Sequence, residues 1–196
     1  MAPELEQLKN TILYSEELGI DLSEHQYQEL FKWFLASTLF GNRISEDIAK
    51  RTYQSLEHYN LLTPKRIVKA GWDYLVNPVM REGGYVRYDG KTSTQLLKNS
   101  KYIIDEYQGS LNNLHKKAAD NKDLEKLIDD FYGVGPVTTN IFLRELRPYW
   151  LKCDPDPLPV VQKLAQKYKI DLSVYNRKSL IFIRIEAGLI RMRHEL

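Results

Sequence analysis

Residues 124–146, LEKLIDDFYGVGPVTTNIFLREL, say more about the fold than any other stretch of this chain. They read as two helices joined by the tight hairpin Gly133-Val134-Gly135. Leu124, Leu127, Ile128 and Phe131 recur at i, i+3, i+4 and i+7, the spacing of one apolar helix face. Pro136 suits the first position of the second helix, where a missing N–H costs nothing. Two glycines around one apolar residue permit a turn with positive φ and an unobstructed backbone. The N–H groups that open the second helix are then free to receive a phosphate oxygen. Such a contact grips a nucleic-acid backbone without reading base sequence. Taken alone, the hairpin also fits a generic connection between two helices.

Outward from the hairpin, nearly every segment reads as helix, and the expected class is all-α. Helices are expected over residues 4–18, 24–39 (with Ser23 as N-cap), 46–58 (capped by Ser45), 65–71 after Thr63-Pro64, 91–107, 110–120, 157–168 and 179–194. Residues 24–39, with Tyr27, Leu30, Phe31, Phe34, Leu35 and Leu39, are apolar enough to be the most buried helix. A glycine-containing loop is expected over 81–90. No strand-like alternation persists, and there is no repeat or flexible linker.

The chain has 196 residues, 43% hydrophobic and 28% charged, which is enough for one compact domain or two packed lobes. No apolar run approaches bilayer length, so no membrane association is expected. MAPELEQLKN lacks a basic-then-apolar signal pattern, and an intracellular location is the expectation. The single Cys153 excludes an intramolecular disulfide and a four-cysteine iron–sulfur cluster. Net charge is only +2, but its distribution is uneven. The charges of the first thirty residues are mostly acidic, whereas Arg144, Arg147, Lys152, Lys163, Lys167, Lys169, Arg177, Lys178, Arg184, Arg191 and Arg193 crowd the C-terminal part. That asymmetry suits a positive face for phosphates; ordinary solvated helix faces would give the same count. His25, His58, His115 and His194 show no metal-ligand spacing, and no metal site is expected.

The hairpin Phe131-Tyr132-Gly133-Val134-Gly135-Pro136-Val137-Thr138-Thr139 resembles the helix-hairpin-helix of the base-excision DNA glycosylase superfamily. That superfamily includes endonuclease III and the adenine and alkylpurine glycosylases. Gly-x-Gly and Thr138 match its pattern, and the proline after the second glycine is most like the alkylpurine branch. Two further stretches resemble it in the right order. Residues 34–45 (FLASTLFGNRIS) take the place of an apolar helix ending in L-S-x-Q-T, with Asn42 where the family has Gln. Residues 84–92 (GYVRYDGKT) are similar to its G-x-Y-x-x-K-A turn, with extra residues.

The resemblance implies a two-lobed glycosylase fold without an iron–sulfur cluster. A six-helix barrel over 25–148 holds the hairpin, and residues 1–24 plus 149–196 form the second lobe, with the catalytic cleft between. It implies a monomer acting on double-stranded DNA with one base flipped out. Gly133, Val134, Gly135, Val137, Thr138 and Asn42 would contact DNA, and Gly133 and Gly135 carbonyls could hold a monovalent cation. No other cofactor is implied.

Breaking an N-glycosidic bond passes through a sugar with oxocarbenium character, which a nearby carboxylate stabilises. The family places an Asp about twenty residues beyond the hairpin. Here two compete: Asp154 follows Cys153 in an apolar-Asp pair, and Asp156 precedes Pro157 as an N-cap would. Either also reads as a capping carboxylate without chemistry. Bifunctional members carry a lysine where this chain has Val137, so a monofunctional enzyme using water is expected. Trp33, Phe40, Tyr85, Tyr88 and Tyr132 are the aromatic candidates for a base pocket; Trp33 reads rather as core, and Tyr85 and Tyr88, on a loop, are favoured. A non-catalytic protein that binds DNA structure, and a helical protein–protein module, are the alternative functions. The damaged base itself is left open among alkylated and oxidised purines, uracil and mispaired thymine.

Overall fold

The computed structural model describes residues 5–24 and 26–195, and all regular structure among them is helical. Glu4 and His25, where the first helix and the barrel were expected to begin, lie outside the described residues.

The expected helix over 4–18 is broken in two, α1 (Leu5–Lys9) and α2 (Tyr14–Glu17). The reason is long-range. Arg184 and Arg191 take the carbonyls of Thr11 and Ile12 at 2.6 and 2.8 Å, and Glu16 accepts the Leu13 N–H. These bonds keep residues 11–13 out of helix and turn Leu13 and Tyr14 into the core. Helix α3 (Tyr27–Gly41) starts later than expected. Ser23 does not cap it, because its hydroxyl and N–H both bond to Asp21. As expected, α3 is heavily buried, and the Trp33 indole donates to the Phe142 carbonyl at 2.9 Å.

Ser45 caps α4 (Glu46–His58), and Thr63 caps α5 (Pro64–Tyr74) with Pro64 in its first turn. An irregular segment, Leu75–Met80, leads to the loop before α6 (Asp89–Tyr107). Two shorter helices follow, α7 (Leu111–Lys117) and α8 (Asn121–Asp129), and then α9 (Pro136–Arg144). Helices α10 (Pro159–Lys167) and α11 (Leu180–Arg191) complete the main elements.

The apolar interior falls into two clusters. The larger one gathers α3, α4, α6, α8 and α9 around residues such as Phe34, Leu96, Ile128 and Phe142. The smaller joins Leu8 of α1 to Val161, Leu164 and Ala165 of α10 and Ile185 and Leu189 of α11. The division does not fall at residues 24 and 148, since Leu13, Tyr14, Trp150, Cys153, Ile183 and Ala187 all pack in the larger cluster. Helix α11 therefore faces both clusters and forms the seam between them.

Candidate functional site

The hairpin is built from α8, α9 and the turn between them. Asp120 caps α8, accepting the Asp123 N–H at 2.9 Å. Leu124, Ile128 and Phe131 are buried, as their spacing required. Gly133 takes φ of +71°, which an L side chain rarely adopts. Buried Asn99 of α6 clamps the turn: it donates to the Tyr132 carbonyl at 3.1 Å and accepts the Tyr132 N–H at 2.8 Å. Lys98 lies over the Tyr132 ring at 4.0 Å. Asp129 accepts the Thr139 hydroxyl, tying α8 to α9.

Gly135 is the N-cap of α9 and offers no side chain to the first N–H groups. It is extended rather than left-handed, and a Cβ there would meet nothing within 4 Å. The backbone at the start of α9 is thus open to an approaching oxygen, with the positive end of a nine-residue helix behind it. The Gly135 carbonyl accepts the Thr139 N–H at 2.9 Å, so of the two carbonyls named for a cation it is the one already used. Val137 is exposed and Thr138 is buried. Gly41 explains Thr138: a Cβ at 41 would lie 2.0 Å from its hydroxyl, so only glycine lets α3 end against α9.

A cavity of about 450 Å³ opens beside this helix start. One side is formed by Phe40, Ile44, Ala49 and Ile141 against the larger cluster, the other by Leu158, Val160 and Ile190 against the smaller. Asn42 and Val137 line it, so the end of α3 and the start of α9 meet there. Its charged lining residues are Glu46, Arg144 and Arg193. Read locally, Glu46 is only the first residue of a capped helix, four after Asn42. In the fold its carboxylate bonds to Arg193 at 2.7 Å and to the Tyr14 hydroxyl at 3.1 Å. Burial opposes its ionisation, but the bonds from Arg193 and Tyr14 outweigh that, and its pKa lies below the ordinary value. Tyr14 responds in the other direction: burial, then the charge of Glu46, push its hydroxyl up to about 12.

The two aspartates lie elsewhere. Asp156 does not cap the next helix, which starts at Pro159 with Leu158 as its N-cap. Asn140 donates to the Asp156 carbonyl at 2.7 Å and keeps this stretch extended. Arg177 bonds to Asp154 and Asp156, each at 2.9 Å, and neither aspartate lines the cavity. Asp156, 86% exposed, instead edges a shallow hollow with Glu125, Asp129 and Asn140. Behind the loop, fully buried Arg147 pairs with fully buried Glu186 and donates to the Pro155 carbonyl, and its Nε lies 3.5 Å from Asp154.

Compared with known proteins, the chain matches no family model, no curated protein and no solved structure.

The tyrosines divide. Tyr85 is buried, with its hydroxyl 2.7 Å from that of Thr92, which Asn42 also approaches at 3.5 Å. Tyr88 is exposed and left-handed, with Arg87 over its ring at 5.0 Å. Neither lines the cavity, whose aromatic walls are Phe40 and Tyr14. Cys153 is a packing residue: its thiol donates to the Leu143 carbonyl, and burial pushes its pKa up. Among the described residues no three His, Cys, Asp or Glu side chains are grouped to hold a metal, and no helix is long and apolar enough to cross a membrane.

Proposed function

We propose that this chain is a monofunctional DNA glycosylase, which turns a damaged or mispaired base out of a duplex and hydrolyses its N-glycosidic bond. One observation carries the reading: Val137, at the uncapped start of α9, is also a wall of the cavity between the clusters. A phosphate held by the first N–H groups of α9 would leave a neighbouring extruded base within reach of that cavity. Asn42 on the opposite wall has the donor and acceptor groups to reach into the space a flipped base leaves. The resemblance of the hairpin and of residues 34–45 and 84–92 to the glycosylase superfamily points the same way. In the reaction, the C1′–N bond breaks with its electron pair leaving on the base. Water supplies the new C1′–O bond and gives up its proton to a carboxylate or to solvent. Among the described residues no lysine lines the cavity, and water is the nucleophile in this reading.

Three carboxylates then compete to stabilise the sugar cation: Asp154, Asp156 and Glu46. The binding of both aspartates by Arg177 favours a second reading, a non-catalytic protein that recognises DNA structure. The test is base release from duplexes carrying single methylated purines, 8-oxoguanine, uracil, hypoxanthine or mispaired thymine, with and without alkali. Alkali-dependent cleavage, lost in one of Asp154→Asn, Asp156→Asn or Glu46→Gln with duplex affinity retained, is the expected result. Salt-sensitive binding with no release from any duplex replaces this reading with the second.

A further inference from the structure

The cavity wall carries Arg144, Arg193 and Glu46 among otherwise mostly apolar residues. Arg144 is 1% exposed, and its Nε and Nη1 have no hydrogen-bond partner among the described residues. A buried guanidinium with idle donors is costly and calls for an acceptor. The nearest anion does not supply one. Glu145 lies 3.8 Å from Arg144 Nη2, but its oxygens accept the N–H groups of Tyr14 and Ser15 at 3.2 and 3.0 Å. Burial also raises the pKa of Glu145, against the pull of Arg144 and the N–H groups of Tyr14 and Ser15. Arg144 also lies over the Tyr14 ring, at 5.8 Å. On the cavity wall, Glu46 is the one carboxylate among the described lining residues, and Arg193 and Tyr14 already occupy it. The described cavity wall thus carries two guanidiniums and one carboxylate, which is already engaged. The rest of the wall is apolar and includes Phe40 and Tyr14, whose rings meet edge to face at 5.0 Å.

We propose that this cavity takes a planar ligand bearing exocyclic oxygens and no positive charge, with Arg144 and Arg193 donating to those oxygens. Resting on the glycosylase reading for its source, the ligand is an oxo base such as hypoxanthine, uracil or 8-oxoguanine. A cationic N-alkylated purine is disfavoured, because it meets two guanidiniums and brings a donor where the wall needs an acceptor. The wall chemistry therefore opposes the alkylpurine preference that Pro136 alone implies.

The test compares binding of 1-methylinosine and 1-methyladenosine to the whole protein by calorimetry near neutral pH. The two nucleosides share a shape. The first carries a ring carbonyl, and the second is protonated and positively charged. We expect 1-methylinosine to bind at least about tenfold more tightly, the scale of one charge-assisted hydrogen bond. Arg193→Met and Arg144→Lys should each weaken it by about tenfold, since lysine cannot reproduce the planar donor fork. Equal or tighter binding of 1-methyladenosine overturns the proposal. So does the absence of binding by either nucleoside, or 1-methylinosine binding that neither variant changes. Base release is measured alongside. Preferred excision of N-alkylated purines overturns the proposal and leaves the glycosylase reading standing. Arginine-dependent binding of 1-methylinosine without release from any duplex supports the proposal and sinks the glycosylase reading instead.

Discussion

Val137 concentrates the chemical question into one side chain. It is 52% exposed, lines the cavity and sits in the first turn of α9, where the resembling superfamily's bifunctional members carry a lysine. Because the site is exposed, Val137→Lys should change stability by no more than about 0.5 kcal/mol. The nearby helix dipole disfavours the ammonium and so favours the neutral, nucleophilic amine. Incubated with abasic-site duplex and borohydride, this variant is expected to give a covalent adduct, whereas the wild type gives none. Retained duplex binding without any trapped adduct would show that the sugar does not reach position 137. Other residues illustrate what local reading cannot see. Glu46 is legible as a helix start after Ser45, yet its place in the cavity depends on Tyr14 and Arg193, which lie 32 and 147 positions away in the chain. Tyr85 and Tyr88 look equivalent in a loop sequence, but the fold buries one and exposes the other.

At the level of elements, the legible parts are those whose signals are local. The apolar spacing of α8, Ser45 before α4 and Thr63-Pro64 before α5 need no distant partner. The misread parts are decided from afar. Residues 11–13 are kept out of helix by arginines of α11, and the start of α10 moves from Pro157 to Pro159, where Asn140 of α9 holds the Asp156 carbonyl. Two predictions belong here. Gly135 is an open, extended N-cap, so Gly135→Asp should stabilise α9 by a few tenths of a kcal/mol. The same carboxylate stands where a phosphate would bind, so duplex affinity should fall as thermal stability rises; parallel melting and DNA titration check it. A rise in both would remove the start of α9 from the DNA interface. The second concerns the clamp behind residues 153–158. Arg147→Met strands the fully buried Glu186, with an expected cost of about 3–5 kcal/mol. Arg147→Met with Glu186→Leu should recover most of that stability, since a buried pair can be replaced by apolar side chains at little cost. The Pro155 carbonyl stays unclamped in the double variant. Urea unfolding of the two variants reads the stability, and if Asp154 is the catalytic carboxylate, base release stays impaired in the double variant.

Across the whole molecule, the two apolar clusters meet at a seam held by charges. Arg184 binds Glu16 at 2.5 Å, Arg191 binds Glu17 at 3.1 Å and Arg193 binds Glu46 at 2.7 Å, so the α11 end of the chain is stitched to α2 and α4. Such a seam makes stability depend on pH at both ends, with a sign fixed by each group. For Glu16, burial opposes ionisation, but the bonds from Arg184 and the Leu13 N–H prevail and lower its pKa below 4.5. Glu46 is lowered in the same way through Arg193 and Tyr14. A depressed carboxylate contributes its stability above its unfolded pKa and loses it as pH falls through the folded one. Glu145 acts oppositely: its pKa is raised by burial, so acidification relieves rather than weakens the fold there. Acid destabilisation should therefore start at the α11 seam, and Glu16→Gln should flatten the loss of stability below pH 4.5. At the alkaline end, Tyr14 is raised from 10.0 to about 12, so its contribution is complete below pH 10 and disappears as pH rises toward 12. The two-unit shift corresponds to roughly 2–3 kcal/mol across that window. Urea unfolding measured at a series of pH values should fall steeply between 10 and 12 in the wild type and less steeply in Tyr14→Phe. Identical alkaline slopes in the two proteins would mean that Tyr14 ionises as freely in the fold as in the unfolded chain. The Tyr14 hydroxyl would then not be buried beside Glu46 between α2 and α4, since burial is the main cause of its shift.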